Sequence, residues 1–197
     1  MADHILLVCT ANQCRSPYAA AVLQSVLREA GAQRVALASA GTDVTAGLPM
    51  CRAAAERLPD LEATSAHRAR ALTVGDVATA DLILVAERGH RAAIVRMTPT
   101  ASTRTFTILE AAALAGAARS HEVSIASGPS VAAFAASLHE ARGLTEPLEL
   151  DIADGHHGNG RRHRRTLDRV EFAATAVANA LLGREPPPTA RVGSPRW

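Results

Sequence analysis

The chain holds 197 residues, 48% hydrophobic but only 3% aromatic, with a formal net charge of +2. That length can bury a core of Leu, Val, Ile and Ala without external staples, and that charge argues against a nucleic-acid binder. No apolar run approaches a membrane span and no charged-then-apolar leader opens the chain, so the expectation is a cytoplasmic protein with no membrane partner.

In chain order, the apolar run Ile5-Leu6-Leu7-Val8 predicts a strand over 4–9. Ser16-Pro17 then opens a helical pattern over 17–30, carried by Tyr18, Val22, Val26 and Leu27. A strand at 35–40 is followed by helices at 50–58 and 73–79. Next come a strand at 81–86, a helix at 87–96 and a strand at 104–108. The alanine-rich stretch 111–118 and the pattern Val131, Phe134, Ala135, Leu138 are both helical, with Ser127-Gly128-Pro129 between them. A last helix is expected over 163–182, and residues 185–197, rich in Pro and Arg, read as a flexible tail behind one domain spanning 1–184. Strands alternating with helices predict an α/β fold with a parallel sheet, whose ligands bind at the carboxyl ends of the strands.

The most informative segment sits at such an end: Cys9-Thr10-Ala11-Asn12-Gln13-Cys14-Arg15-Ser16. A loop running into a helix N-terminus turns backbone N–H groups and the positive end of the helix dipole towards one point. A cysteine there has its thiolate, the nucleophilic form, stabilised. Arg15 adds a planar fork of donors that matches two oxygens of a phosphate. Three cysteines (Cys9, Cys14, Cys51) suit a reactive thiol better than a disulfide framework. No Cys and His spacing matches a metal-binding motif and His156-His157 read as loop residues, so neither metal nor cofactor is expected. Cys51 reads as structural.

Further motifs follow in order: Ser39-Ala40-Gly41-Thr42, His67-Arg68-Ala69-Arg70, Ala80-Asp81-Leu82-Ile83-Leu84 and Asp151-Ile152-Ala153-Asp154. With Val8-Cys9 through Pro17, they make the chain resemble the low-molecular-weight protein tyrosine phosphatases, which share their fold with some arsenate reductases and protein arginine phosphatases. The resemblance implies a three-layer αβα sandwich around a four-stranded parallel sheet, with the phosphate loop between the first strand and first helix. It implies hydrolysis of phosphomonoesters through a phosphocysteine, with tyrosine-phosphorylated protein the leading substrate and small phosphomonoesters also taken. The molecule would be a monomer or weak dimer.

By the same resemblance Cys9 attacks phosphorus, Arg15 holds two equatorial oxygens, and the backbone N–H groups of residues 10 to 15 complete the cradle. Ser16 donates to the Cys9 sulfur, while Asn12, Ser39 and His67 fix the loop from below. Asp154 matches the general acid, with Asp151 the runner-up. Cys14 is either a partner for a reversible disulfide with Cys9 or a small buried side chain.

The chain also departs from the family's pattern. Ala11 stands where glycine is usual, so the loop must avoid a strongly positive φ there or be strained. Gln13 stands where tyrosine phosphatases are apolar and arginine phosphatases hydroxylated. Asp154 is followed by Gly155-His156-His157-Gly158 in place of proline and an aromatic residue. That implies reduced activity on phosphotyrosine, with His156 lining the cleft. The longer segment 116–150 implies a lid or a partner surface, and Arg161, Arg162, Arg164 and Arg165 read as a solvated face. Arsenate reduction with Cys14 or Cys51 as resolving thiol, arginine phosphatase activity, and a weakly active phosphate-binding regulatory module stay open as alternatives.

Overall fold

Alternation along the first strand sets the layers. In the computed structural model, which describes residues 3–185 apart from 33, 60, 121–129, 144–149 and 157, β1 (Asp3–Cys9) sends Ile5 and Leu7 to one core and Leu6 and Val8 to another. β2 (Val35–Gly41), β3 (Leu82–Val85) and β4 (Thr105–Thr107) complete a four-stranded parallel sheet in the order β2-β1-β3-β4. The register pairs Ile5 with Leu82 and Leu7 with Leu84, so side chains of equal parity fall on the same face. Both central strands are buried on both faces, which is why they read as unbroken apolar runs.

Helices cover both faces. α1 (Arg15–Glu29), α6 (Ile108–Ser120), α7 (Val131–Glu140) and α8 (Gly160–Leu181) build the larger core with Tyr18, Leu23, Phe106, Phe134 and Val177. α4 (Val74–Thr79) and α5 (Arg88–Met97), with the 3-10 turn Pro99–Arg104, close the smaller one through Val77, Ile94 and Ala101. The fold is therefore the expected three-layer sandwich. Tyr18 ties α1 to α8 by donating its hydroxyl proton to Glu171 at 2.7 Å.

Some boundaries differ from the sequence reading. α1 begins two residues early, at Arg15, because Pro17 lacks only an N–H that the first turn does not need. The helix expected over 50–58 shrinks to α2 (Arg52–Ala55): Cys51 is extended, and Pro59 disfavours helix before it. A short α3 (Leu61–Ala66) went unread. α4 is fixed by a capping box in which Thr73 and Asp76 exchange side-chain to backbone bonds. Within the segment expected to form a lid or partner surface, α7 instead buries Val131, Phe134, Ala135 and Leu138 in the core. Arg142, just beyond it, donates to the carbonyls of Ser102 and Thr105 and stacks 4.1 Å from the Phe106 ring centre. The tail at 186–197 lies outside the described residues.

Gly41, at the carboxyl end of β2 beside Cys9, lets the next loop cross the strand ends. A Cβ there would sit 2.4 Å from the Thr10 carbonyl oxygen and 2.9 Å from the Asn12 nitrogen, both backbone atoms unable to swing away. Gly41→Ala is therefore expected to lower the unfolding free energy by about 3 kcal/mol, read from chemical denaturation. A change under about 0.5 kcal/mol would mean that the loop does not rest against this strand.

Candidate active site

The segment after β1 turns on Asn12. It is the one non-glycine residue with positive φ among the described residues (53°), and it is fully buried. Asparagine tolerates this conformation better than most residues. Ala11 keeps a negative φ, so the missing glycine brings no strain there. Asn12 Nδ2 donates to Ser16 Oγ at 3.0 Å and to Ser39 Oγ at 2.9 Å. Its Oδ1 accepts from the Arg70 N–H at 3.0 Å, and its carbonyl accepts from His67 Nε2 at 2.7 Å. One side chain and one carbonyl thus join the loop to α1, β2 and the 67–70 segment. No backbone N–H of Thr10 to Cys14 donates to a protein acceptor among the described hydrogen bonds. Such a run of free amides at a helix N-terminus is an anion-binding feature.

Cys9 Sγ lies 3.1 Å from Ser16 Oγ, which can donate to it as a thiolate. The Arg15 side chain is 2% exposed, so its charge needs partners. It donates to the Ile152 carbonyl at 2.9 Å, to Thr10 Oγ1 at 3.1 Å and to Asp154 Oδ2 at 2.9 Å, and pairs with the Glu87 carboxylate. Glu87 and its neighbour His90 escaped the sequence reading. Both stand just past the carboxyl end of β3, where a parallel sheet places its ligand-binding loops, and that position is the signal that could have found them.

The two candidate acids separate clearly. Asp151 takes three bonds from Arg88: backbone N–H to Oδ1 at 2.7 Å, Nε and Nη2 to Oδ2 at 3.1 and 3.0 Å. Burial raises the Asp151 pKa, but the bonds from Arg88 outweigh it and hold the carboxyl below its usual range. It stays ionised and clamped. Asp154 reaches the Arg15 guanidinium through Oδ2 while Oδ1 accepts from the His156 N–H at 2.8 Å.

Gly155 explains why proline is missing beside that acid. A Cβ at 155 would lie 2.4 Å from Thr166 Oγ1 and 2.9 Å from His163 Cα, so only glycine lets this loop lie against the first turns of α8. The contact carries His156 to His163, ring centres 5.5 Å apart and edge to face. His163 Nε2 is 3.1 Å from Cys14 Sγ and 3.7 Å from Cys51 Sγ. Cys14 therefore shares its surroundings with Cys51 and two histidines, a gathering that no local spacing in the chain foretells. Hydrogen bonding between the two buried thiols raises Cys14 and lowers Cys51, so Cys14 keeps its proton in preference to Cys51.

Comparison with known proteins agrees with this geometry. The family model for low molecular weight phosphotyrosine protein phosphatase matches residues 4–126. A protein-arginine-phosphatase of Geobacillus stearothermophilus is 34% identical over 108 residues, which cover 55% of this chain and 70% of that protein. The solved YwlE arginine phosphatase from the same organism superposes with a TM-score of 0.62 at 27% identity, covering 92% of this chain and 94% of that one. A low molecular weight protein tyrosine phosphatase from T. tengcongensis shares the fold at a TM-score of 0.64 and 23% identity, over 89% of this chain and 97% of that one. The chain belongs to the low molecular weight phosphotyrosine protein phosphatase family. It is accordingly a cysteine-based phosphatase. No helix among the described residues is long and apolar enough to cross a membrane.

His90 offers a test of the site's wiring. Its Nδ1 accepts from the Glu87 N–H at 3.1 Å, so the ring must be neutral with its proton on Nε2, facing Thr10 Oγ1 at 3.0 Å. Burial, then the charge of Arg15, lower its pKa, against the opposing pull of Glu87, Asp151 and Asp154. Folding thus disfavours protonation: the contribution is intact above the unfolded-chain value of about 6.5 and falls as pH drops below it towards the folded value. The denaturation midpoint of the wild type should fall more steeply than that of His90→Gln between about pH 7.5 and about pH 5.5. Parallel slopes would contradict a ring held neutral by the fold.

Proposed function

We propose that this phosphatase dephosphorylates protein side chains in the cytoplasm through a phosphocysteine on Cys9, with tyrosine phosphate the leading substrate. One observation carries the reading. Cys9 and Arg15 flank a loop whose amides have no protein acceptor among the described residues, and the Asp154 carboxylate already sits on the Arg15 guanidinium.

That carboxylate occupies the fork where phosphate oxygens would bind. An arriving dianion takes over the Arg15 donors and displaces Asp154 towards the leaving oxygen. The Cys9 sulfur attacks phosphorus, the P–O ester bond breaks, and Asp154, which takes a proton from solvent on leaving the guanidinium, gives that proton to the departing oxygen. In the second half Asp154, now ionised, takes a proton from water. The oxygen displaces sulfur, which leaves as a thiolate steadied by Ser16. Charge on the equatorial oxygens is met throughout by Arg15 and the amides of residues 10 to 15, so positioning and electrostatics do most of the work. Glu87 holds Arg15 in place from the other side. Asn12, Ser39 and His67 keep the loop's shape without touching substrate, and Ala11, Gln13 and Cys14 contribute amides to the cradle. Residues 1–184 act as one domain, as a monomer or weak dimer.

A second reading, arginine phosphate as substrate, is supported by the 34% identical relative named a protein-arginine-phosphatase and by the half-buried polar Gln13 in the loop. Both readings share the Cys9 nucleophile and the Arg15 cradle; with arginine phosphate the P–N bond breaks and Asp154 protonates the departing guanidine nitrogen.

Hydrolysis of p-nitrophenyl phosphate should fall at least about a thousandfold in Cys9→Ser, equivalent to about 4 kcal/mol of barrier. With phenyl phosphate, whose leaving group needs the proton more, Asp154→Asn should lower kcat about a hundredfold while Asp151→Asn stays close to wild type. The reverse order would move the acid to Asp151, and full activity in Cys9→Ser would remove the phosphocysteine.

Substrate choice is read from kcat/KM on one peptide carrying phosphotyrosine or phosphoarginine. Higher turnover of phosphotyrosine is expected, and preference for phosphoarginine would select the second reading.

A further inference from the structure

We propose that Cys14, Cys51, His156 and His163 bind one zinc ion that fastens the Asp154 loop to the phosphate loop. The four donor atoms all lie within 4.8 Å of one another. Zinc bonds of about 2.3 Å to sulfur and about 2.0–2.1 Å to nitrogen give tetrahedral edges of roughly 3.3–3.8 Å. The measured Cys14–His163 and Cys51–His163 separations, 3.1 and 3.7 Å, bracket the sulfur–nitrogen edge. Donors as far as 4.8 Å apart must close by about 1 Å to seat the ion.

The donor set is the right kind. Two thiolates and two neutral imidazoles match the soft, closed environment of structural zinc, and two thiolates cancel the charge of the ion. Both thiols are buried, at 6% and 7% exposure. On binding they lose their protons to solvent while the imidazoles stay neutral, and no electron is transferred.

Each donor is also held by backbone packing that exists before any metal arrives. Cys14 caps α1, its carbonyl accepting from the Tyr18 N–H at 3.1 Å. The Cys51 N–H donates to the Gln13 carbonyl at 2.7 Å, which fixes Cys51 against the phosphate loop. His163 stands in the first turn of α8, and Gly155 presses the acid loop on to that turn so that His156 comes alongside. Three stretches distant in the chain converge here: the end of the phosphate loop, the start of α2, and the acid loop with the first turn of α8.

The consequence is mechanical. His156 is two residues from Asp154 and Cys14 is next to Arg15, so one ion ties the acid's loop to the oxyanion cradle. Zinc then adds a second tie to the contact that Gly155 already makes with α8. A four-ligand site leaves no open position for substrate, so the ion holds residues in place and takes no part in phosphoryl transfer. The proposal stands on its own residues and does not depend on which phosphorylated side chain is cleaved.

The test uses the full chain purified under reducing conditions without chelator, with zinc measured by elemental mass spectrometry after gel filtration. About one zinc per chain is expected, retained in Cys9→Ser and lost in both Cys51→Ser and His163→Gln. Cobalt(II) added to the stripped protein should give thiolate-to-cobalt charge-transfer and intense tetrahedral visible bands, absent in those two variants. Circular dichroism checks that the variants are folded. Removing zinc with dipicolinate should speed protease cleavage within 153–158 several-fold. No zinc and no cobalt spectrum in the folded wild type would overturn the site, as would a Cys14–Cys51 disulfide recovered in its place. Unchanged cleavage on metal removal would overturn the fastening role.

Discussion

Everything at the catalytic end of this molecule depends on Asn12 being held in a left-handed turn. That conformation is disfavoured for a residue with a side chain, and it persists because four hydrogen bonds over-determine it. Among the described hydrogen bonds the amides of Thr10 to Cys14 have no protein acceptor, which leaves them open to an anion. Arg15 enters the first turn of α1 with its guanidinium buried, and two carboxylates pair with it, Glu87 at Nη1 and Asp154 at Nη2. The loop is thus built for a charge it does not itself contain.

The sheet decides where that charge sits. Cys9 ends β1, Gly41 ends β2 and Glu87 follows β3, so the nucleophile, the close backbone crossing and the arginine's anchor meet at one edge of a parallel sheet. Asp154 arrives from the other end of the chain. Its preceding residue but one, Ile152, is fixed by donating its N–H to the Ala86 carbonyl and accepting from Arg15 at its own carbonyl. Asp151 and Asp154, three residues apart, have different fates because Arg88 clamps the first and leaves the second to Arg15.

Much of this was legible in the chain. The two central strands are apolar runs of the right length, and Cys9 to Ser16 carries its chemistry in consecutive residues. The match of Asp154 to an acid position rested on likeness to a family, and the geometry gives it a physical partner. What escaped reading was assembled across long separations. Glu87 and His90 look like ordinary polar residues at a helix start. Cys14, Cys51, His156 and His163 have no telling spacing, since their convergence depends on Gly155 packing against α8. Gly155, which the chain shows only as a missing proline, is in three dimensions the residue that allows close contact. Cys51 likewise reads as structural in the chain because its neighbour Cys14 lies on another segment.

The account's central claim is that the sulfur of Cys9 becomes covalently bonded to phosphorus. Rapid acid quench of wild-type enzyme mixed with an aryl phosphate, followed by peptide mass spectrometry, tests it most directly. A phosphoryl group on the peptide containing Cys9, forming and decaying within a turnover and mapped to that sulfur, is the predicted result. Turnover with no protein-bound phosphate, or with phosphate on another residue, would contradict it.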